Sequence, residues 1–171
     1  MPQSRNDPFV CPSCRNEVQA NDEFCPHCGE LFADGITCST HPAMGAVGAC
    51  IICALPYCRE CGGKVAEYFL CDHHSTYEIY EGMVRVYAVL DDVSAQYAKA
   101  CLMQAGLHPV LFCRSQPKGG PRFVYTLFEA AGDYVGHIVN EIKVMVPCQE
   151  VGQAETILTT LGLTTARGAT A

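Results

Sequence analysis

Long apolar runs are missing from this chain. The best of them, Met44 to Leu55, is broken by Cys50 and Cys53 and falls short of the roughly 18 to 20 residues that a membrane-spanning helix needs, so no membrane association is expected. The chain opens without a charged segment leading into an apolar one, and the expectation is therefore a cytoplasmic protein with reduced thiols. Leu, Ile and Val are scarce in the first half apart from Ile51, Ile52 and a few others. Apolar burial alone cannot offset the entropy of ordering that half, and something else must staple it. Neither an HExxH nor an HxE frame occurs, and no nucleophile and base are spaced for catalysis, so the chain does not read as an enzyme.

Basic side chains are also few in that half. Residues 1–81 hold Arg5, Arg15, Arg59 and Lys64 against eleven Asp or Glu, a net of −7. A phosphate backbone would be repelled, which argues against a nucleic-acid partner and leaves protein partners as the expectation.

What the sequence does have is cysteine, unevenly spread. Ten of its 13 cysteines lie between Cys11 and Cys71, while Cys101, Cys113 and Cys148 stand singly in a half that reads as ordinary hydrophobic core. For 171 residues this pattern favours two or three small domains over one.

The first cluster is Cys11-Pro-Ser-Cys14 and, after ten intervening residues, Cys25-Pro-His-Cys28-Gly29. Two CxxC turns at this spacing can close a tetrahedral Cys₄ site, each presenting two thiolates from one side of a tight turn. A pair of disulfides or a redox CxxC is the alternative, and the lack of a surrounding βαβ pattern weighs against it. With four cysteines present, His27 has no coordination position to fill and should face solvent. The motif resembles the zinc-ribbon family, whose knuckles commonly read CPxCG. Arg15 departs from it by standing where the first knuckle would carry Gly.

Four further pairs follow: Cys38-Ser-Thr-His41, Cys50-Ile-Ile-Cys53, Cys58-Arg-Glu-Cys61 and Cys71-Asp-His-His74. His74 fits the CxxH spacing, with His73 as the fallback. This succession resembles the B-box type of zinc finger and the short bacterial modules similar to it. The resemblance implies an interleaved cross-brace, with Cys38, His41, Cys58 and Cys61 on one zinc and Cys50, Cys53, Cys71 and His74 on the other. Each ion would then close a long loop around its neighbour, replacing a hydrophobic core. Tyr57, Tyr68 and Phe69 are expected to pack between the sites. All three ligand sets are complete, which suits structural zinc rather than an open catalytic site.

Beyond a connection at Ser75 to Gly82, the pattern turns regular. Val84 to Leu90 reads as a buried strand, Asp91 or Asp92 as the cap of a helix over Val93 to Ala105, and Gly106 as its end. The stripe Tyr97, Ala98, Cys101, Leu102 and Ala105 is its expected apolar face. His108 to Cys113 reads as a strand, Arg114 to Arg122 as a basic loop, Phe123 to Phe128 as a strand, and Ile142 to Val146 as a half-buried strand before a helix at Gln149 to Leu161. His108 and His137 lie too far apart to suggest a site by spacing. The order predicts an α+β sandwich with helices on one face of a sheet. It resembles a small bacterial signal-transducing domain of ferredoxin-like, PII-like fold that is often joined to zinc ribbons, which implies a ligand-sensing or self-associating unit and a homodimer.

The organisation expected is thus a disordered terminus (1–8), a zinc ribbon (9–35), a B-box-like double-zinc module (36–76), the ferredoxin-like domain (82–163) and a disordered tail (164–171). The function expected is a zinc-binding adaptor or regulator of signalling that works by protein–protein interaction. A nucleic-acid-associated zinc ribbon and a thiol redox enzyme are the alternatives.

Overall fold

The structure, a computed structural model, describes residues 8–113 and 141–163. Residues 1–7 of the terminus expected over 1–8, the loop at Arg114 to Arg122, the strand at Phe123 to Phe128, His137 and the tail from Thr164 all lie outside those residues. The chain divides into two compact units, Met1–Tyr77 and Glu78–Ala171.

The first unit is built from short antiparallel pairs. Strands β1 (Phe9–Val10) and β2 (Glu17–Val18) pair, as do β3 (Gly48–Ala49) with β4 (Pro56–Tyr57), and β5 (Gly62–Val65) with β6 (Tyr68–Cys71). Two-stranded ribbons of two to four residues cannot stand alone in water. The buried apolar residues here show what supports them: Val18, Ala49, Ile51, Ile52, Tyr57, Phe69 and Leu70, and beside these the cysteines Cys11, Cys25, Cys28, Cys38, Cys50, Cys58 and Cys71. Sulfur makes up half of this interior by residue, and it is an interior arranged around sites.

In the second unit β7 (Ile79–Tyr80), β8 (Met83–Val89), β9 (Val110–Cys113) and β10 (Ile142–Pro147) form one sheet in the order β7-β8-β10-β9, each neighbour antiparallel. Helix α1 (Asp92–Gln104) joins β8 to β9, which run parallel with β10 between them. Helix α2 (Val151–Thr160) follows β10 after a single 3₁₀ turn at Cys148–Glu150, and both helices pack on β8 and β10 and on each other. Asp91 caps α1 by accepting a hydrogen bond from the Ser94 N–H at 2.8 Å, and Gly106 follows the helix at φ +82°, the left-handed conformation that favours glycine. His108 is tied down locally, its Nδ1 2.6 Å from a Glu150 carboxylate oxygen.

Three expectations need correction. The buried face of α1 is Ala95, Ala98 and Leu102, while Tyr97 is half exposed. Ala98 and Leu102 belong to the expected stripe, whereas Tyr97 and Ala105 are exposed and Ala95 takes a place on the buried face. Ser75 to Gly82 is more than a connection, since it carries β7, whose Ile79 and Tyr80 pair with Val84 and Met83 around a turn at Glu81-Gly82. Strand β10 is not half buried. Lys143 and Met145 are as inaccessible as Val144 and Val146, although an antiparallel sheet commonly leaves one face to solvent.

Candidate metal centres

One local turn is used three times. At Cys11, Cys25 and Cys50 the cysteine N–H donates to the carbonyl five residues on (Asn16, Glu30 and Leu55, at 2.7–2.9 Å). Its own carbonyl accepts from the N–H four residues on (Arg15, Gly29 and Ala54, at 2.8–2.9 Å). The chain doubles back only if that fourth residue is left-handed, and φ is 63° at Arg15, 82° at Gly29 and 58° at Ala54. Both cysteines of each CxxC are thereby turned to the same side. Arg15 therefore takes up the conformation for which the knuckle usually uses glycine, at some cost in strain. Arg15→Gly is expected to hold or slightly raise the thermal midpoint of the first unit, and Arg15→Val to lower it by several degrees in the same melt. Equal midpoints for the two variants would remove the conformational argument.

Twelve side chains, six of them from these turns, come together in three groups: Cys11, Cys14, Cys25 and Cys28; Cys38, His41, Cys58 and Cys61; and Cys50, Cys53, Cys71 and His74. Within each group the four donor atoms lie within 4.8 Å of one another. The distances suit zinc. A Zn–S bond of about 2.3 Å in a tetrahedron sets sulfur atoms about 3.8 Å apart, and Cys11 Sγ lies 3.8 Å from Cys28 Sγ, Cys14 Sγ 3.6 Å from Cys25 Sγ. For Zn–N of about 2.0–2.1 Å the sulfur–nitrogen edge is about 3.6 Å. His41 Nδ1 stands 3.5 and 3.2 Å from the sulfurs of Cys58 and Cys61, and His74 Nδ1 3.4 and 3.1 Å from those of Cys50 and Cys71. The same spacings are far from the S–S length of about 2.05 Å in a disulfide, and all 13 cysteines are free. His73 and His27 are exposed and belong to none of the groups.

Electrostatics points the same way. Burial raises the Cys14 thiol, but hydrogen bonds from the backbone and side chain of Asn16 outweigh it and bring the thiol down to about 7, while burial pushes Cys25 up to about 11 and Cys28 higher still. The contact with Cys53 lowers Cys50 to about 4 and raises Cys53 in turn, and Cys71 is raised by burial and by the charge of Cys50. In the remaining group burial opposes ionisation of Cys38, yet the backbone amides of Cys58, His41 and Thr40 bring it to about 6, while burial and Cys58 hold Cys61 near 11. Each group thus has one sulfur that ionises readily and neighbours that resist a second negative charge. A divalent cation lifts that resistance, and because it displaces protons, acid favours its release.

Two side chains that spacing did not single out as sulfur partners touch the sites. Asn16 Nδ2 donates to Cys14 Sγ at 3.3 Å, and the Tyr57 hydroxyl lies 3.7 Å from Cys53 Sγ. Tyr57 had been placed in the core, and it is buried, but its polar end faces a ligand. Among the three lone cysteines, Cys148 is buried with its thiol 3.2 Å from the Gly82 carbonyl, and Cys101 and Cys113 are half-buried.

A chain with three closed sets of four sulfur and imidazole donors belongs to the metal-binding proteins that use cysteine and histidine clusters as their interior. More particularly, residues 10–30 match the family model of the zinc-ribbon domain, so a zinc ribbon lies at the start of the first unit. No curated protein and no solved structure matches the chain. Among the described residues no helix is long and apolar enough to cross a membrane.

Proposed function

We propose that this is a zinc-binding adaptor or regulatory protein without catalytic activity, in which three Zn²⁺ shape an acidic surface for protein partners. The observation that carries this reading is the completeness of the donor sets. Four ligand atoms within 4.8 Å of one another fill a tetrahedral ion and leave no position for the water or substrate that catalytic zinc requires. In this reading Cys38, His41, Cys58 and Cys61 share one ion and Cys50, Cys53, Cys71 and His74 another, in the interleaved manner of a B-box-like module. The second unit is the ferredoxin-like, PII-like part. Support for that comes from its split arrangement, in which β10 enters between the parallel strands β8 and β9. Ligand sensing or pairing with a second copy is its role, in a cytoplasmic protein.

Native mass spectrometry of the protein purified gently from its source under reducing conditions tests this. Three zinc ions per chain are expected, together with a protein partner that dissociates when a chelator is added. A zinc-dependent turnover of any substrate would sink the non-catalytic reading. Tight nucleic-acid binding that weakens steeply with salt would replace the protein partner with DNA or RNA.

A further inference from the structure

The second knuckle of the zinc ribbon does not stand apart from the double site. Ala49 donates its N–H to the Gly29 carbonyl at 2.8 Å, and Phe69 donates its own to the Cys28 carbonyl at 2.9 Å. A Cβ on Gly29 would sit 2.2 Å from the Ala49 carbonyl oxygen and 2.7 Å from Phe69 Cβ. Of the three residues that close the equivalent turns, Arg15 and Ala54 are exposed and only Gly29 is buried. Phe69, 3 % exposed, in turn lies against Gly48, where a Cβ would fall 2.3 Å from its ring, and its carbonyl accepts from Ile51 at 3.2 Å.

These contacts run from ligand to ligand. Cys28 is itself a donor, Ala49 precedes Cys50, and Phe69 stands two residues before Cys71. The double site is joined internally in the same way: Asp72, next to Cys71, donates to the carbonyl of Cys61 at 3.0 Å, and Tyr57, next to Cys58, reaches Cys53 with its hydroxyl. Against this the ribbon has little of its own, its core being Cys11, Val18, Cys25 and Cys28 with Cys14 and Phe32 packed alongside.

We infer that the three centres fill as one unit, the ribbon's second knuckle serving as part of the wall that positions Cys50 and Cys71. The inference rests on the zinc reading above and adds a regulation to it. Partial metal supply produces a mixture of fully loaded and empty chains, so the acidic surface is present or absent rather than graded. A pair of adjoining but independent fingers would load one ion at a time.

The experiment is a zinc titration of the reduced, metal-free full chain followed by native mass spectrometry at one and two equivalents of zinc. For a coupling of about a hundredfold between sites, metal-free and three-zinc chains dominate and the one- and two-zinc species are minor peaks. Gly29→Ala keeps all twelve ligands; its Cβ blocks the docking, and at φ +82° it also strains the knuckle's own turn, a strain that Ala54 carries at φ 58° in the equivalent turn. It is expected to accumulate a two-zinc species whose Cys11, Cys14, Cys25 and Cys28 are open to alkylation. Loss of all three ions in this variant carries the same meaning, because no ligand was changed. Stepwise filling of the wild type through abundant one- and two-zinc species overturns the inference, as does a Gly29→Ala titration indistinguishable from wild type. Saturation of the wild type below three ions overturns the zinc reading beneath it, an outcome visible before any variant is made.

Discussion

Stripped of metal by a strong chelator in the presence of reductant, residues 8–77 are expected to exchange their amide hydrogens at close to unfolded rates, while residues 83–113 and 142–160 keep their protection. The difference follows from what each unit buries. The second has Val84, Tyr87, Leu102, Leu107, Leu111, Val144, Met145, Val146, Val151 and Leu158 between a four-stranded sheet and two helices. The first has, among its described residues, seven buried non-cysteine apolar residues, five in three two-stranded ribbons and Ile51 and Ile52 in the turn between Cys50 and Cys53. Its remaining interior is sulfur that, without an ion, must stay largely protonated or repel its neighbours. A structural zinc site contributes about 10–16 kcal/mol, whereas a whole domain is stable by about 5–15 kcal/mol, so losing even one ion exceeds what the first unit has to spare.

Hydrogen exchange read by mass spectrometry separates the units peptide by peptide, which optical probes would do poorly in a protein with no tryptophan. Retained protection across residues 8–77 after metal removal would mean that the apolar residues suffice and that the donor groups have another purpose. Loss of protection in both units together would mean that the second unit depends on the first. Restoring zinc should restore protection, since the ligands remain reduced.

The ligand sets were legible because CxxC and CxxH are local patterns: whatever the rest of the chain does, a two-residue gap returns the second donor to the side of the first. His74 could be preferred over the exposed His73 on that ground alone. How the pairs combine is not a local matter, and there a family resemblance supplied the interleaving. The left-handed turn at Arg15 and Ala54 was hidden for a different reason, since neither residue type advertises the conformation as glycine does. Least legible was the docking of Gly29 on Ala49 and Phe69. A glycine after a knuckle is explained by the turn itself, and nothing in the sequence says that this one is also covered. In the second unit helix α1 and strands β8 to β10 followed from period and caps. The pairing of β7 with β8 rests on a two-residue match too short to show any period.

Lys143 shows the limit of reading alternation as exposure, and it yields the second large effect. Alternating Ile142, Lys143, Val144, Met145 and Val146 look half solvated, but the Lys143 side chain is only 2 % exposed. Its ammonium lies 2.6 Å from Glu78 and 3.6 Å from Glu141, and Arg85 approaches the same two carboxylates at 3.4 and 3.6 Å. Among the described residues two positive and two negative groups therefore meet between β8, β10 and the residues that precede β7 and β10. Removing the lysine leaves two carboxylates facing one arginine in a largely desolvated place, and breaking such a buried arrangement costs about 3–5 kcal/mol. Lys143→Met keeps most of the stem volume, so its cost reports charge rather than a cavity. The expected result is a fall of that size in the unfolding free energy of the second unit, read from the hydrogen exchange of residues 83–113 and 142–160 in the zinc-loaded chain. Adding Glu78→Gln to Lys143→Met removes one charge of each sign and should recover most of the loss, because a buried pair replaced as a whole is often near neutral. If Lys143→Met alone stays within about 0.5 kcal/mol of wild type, the range of an ordinary surface substitution, the network carries no stability. A double variant as unstable as the single one would show that the lysine's loss acts through packing rather than through its charge.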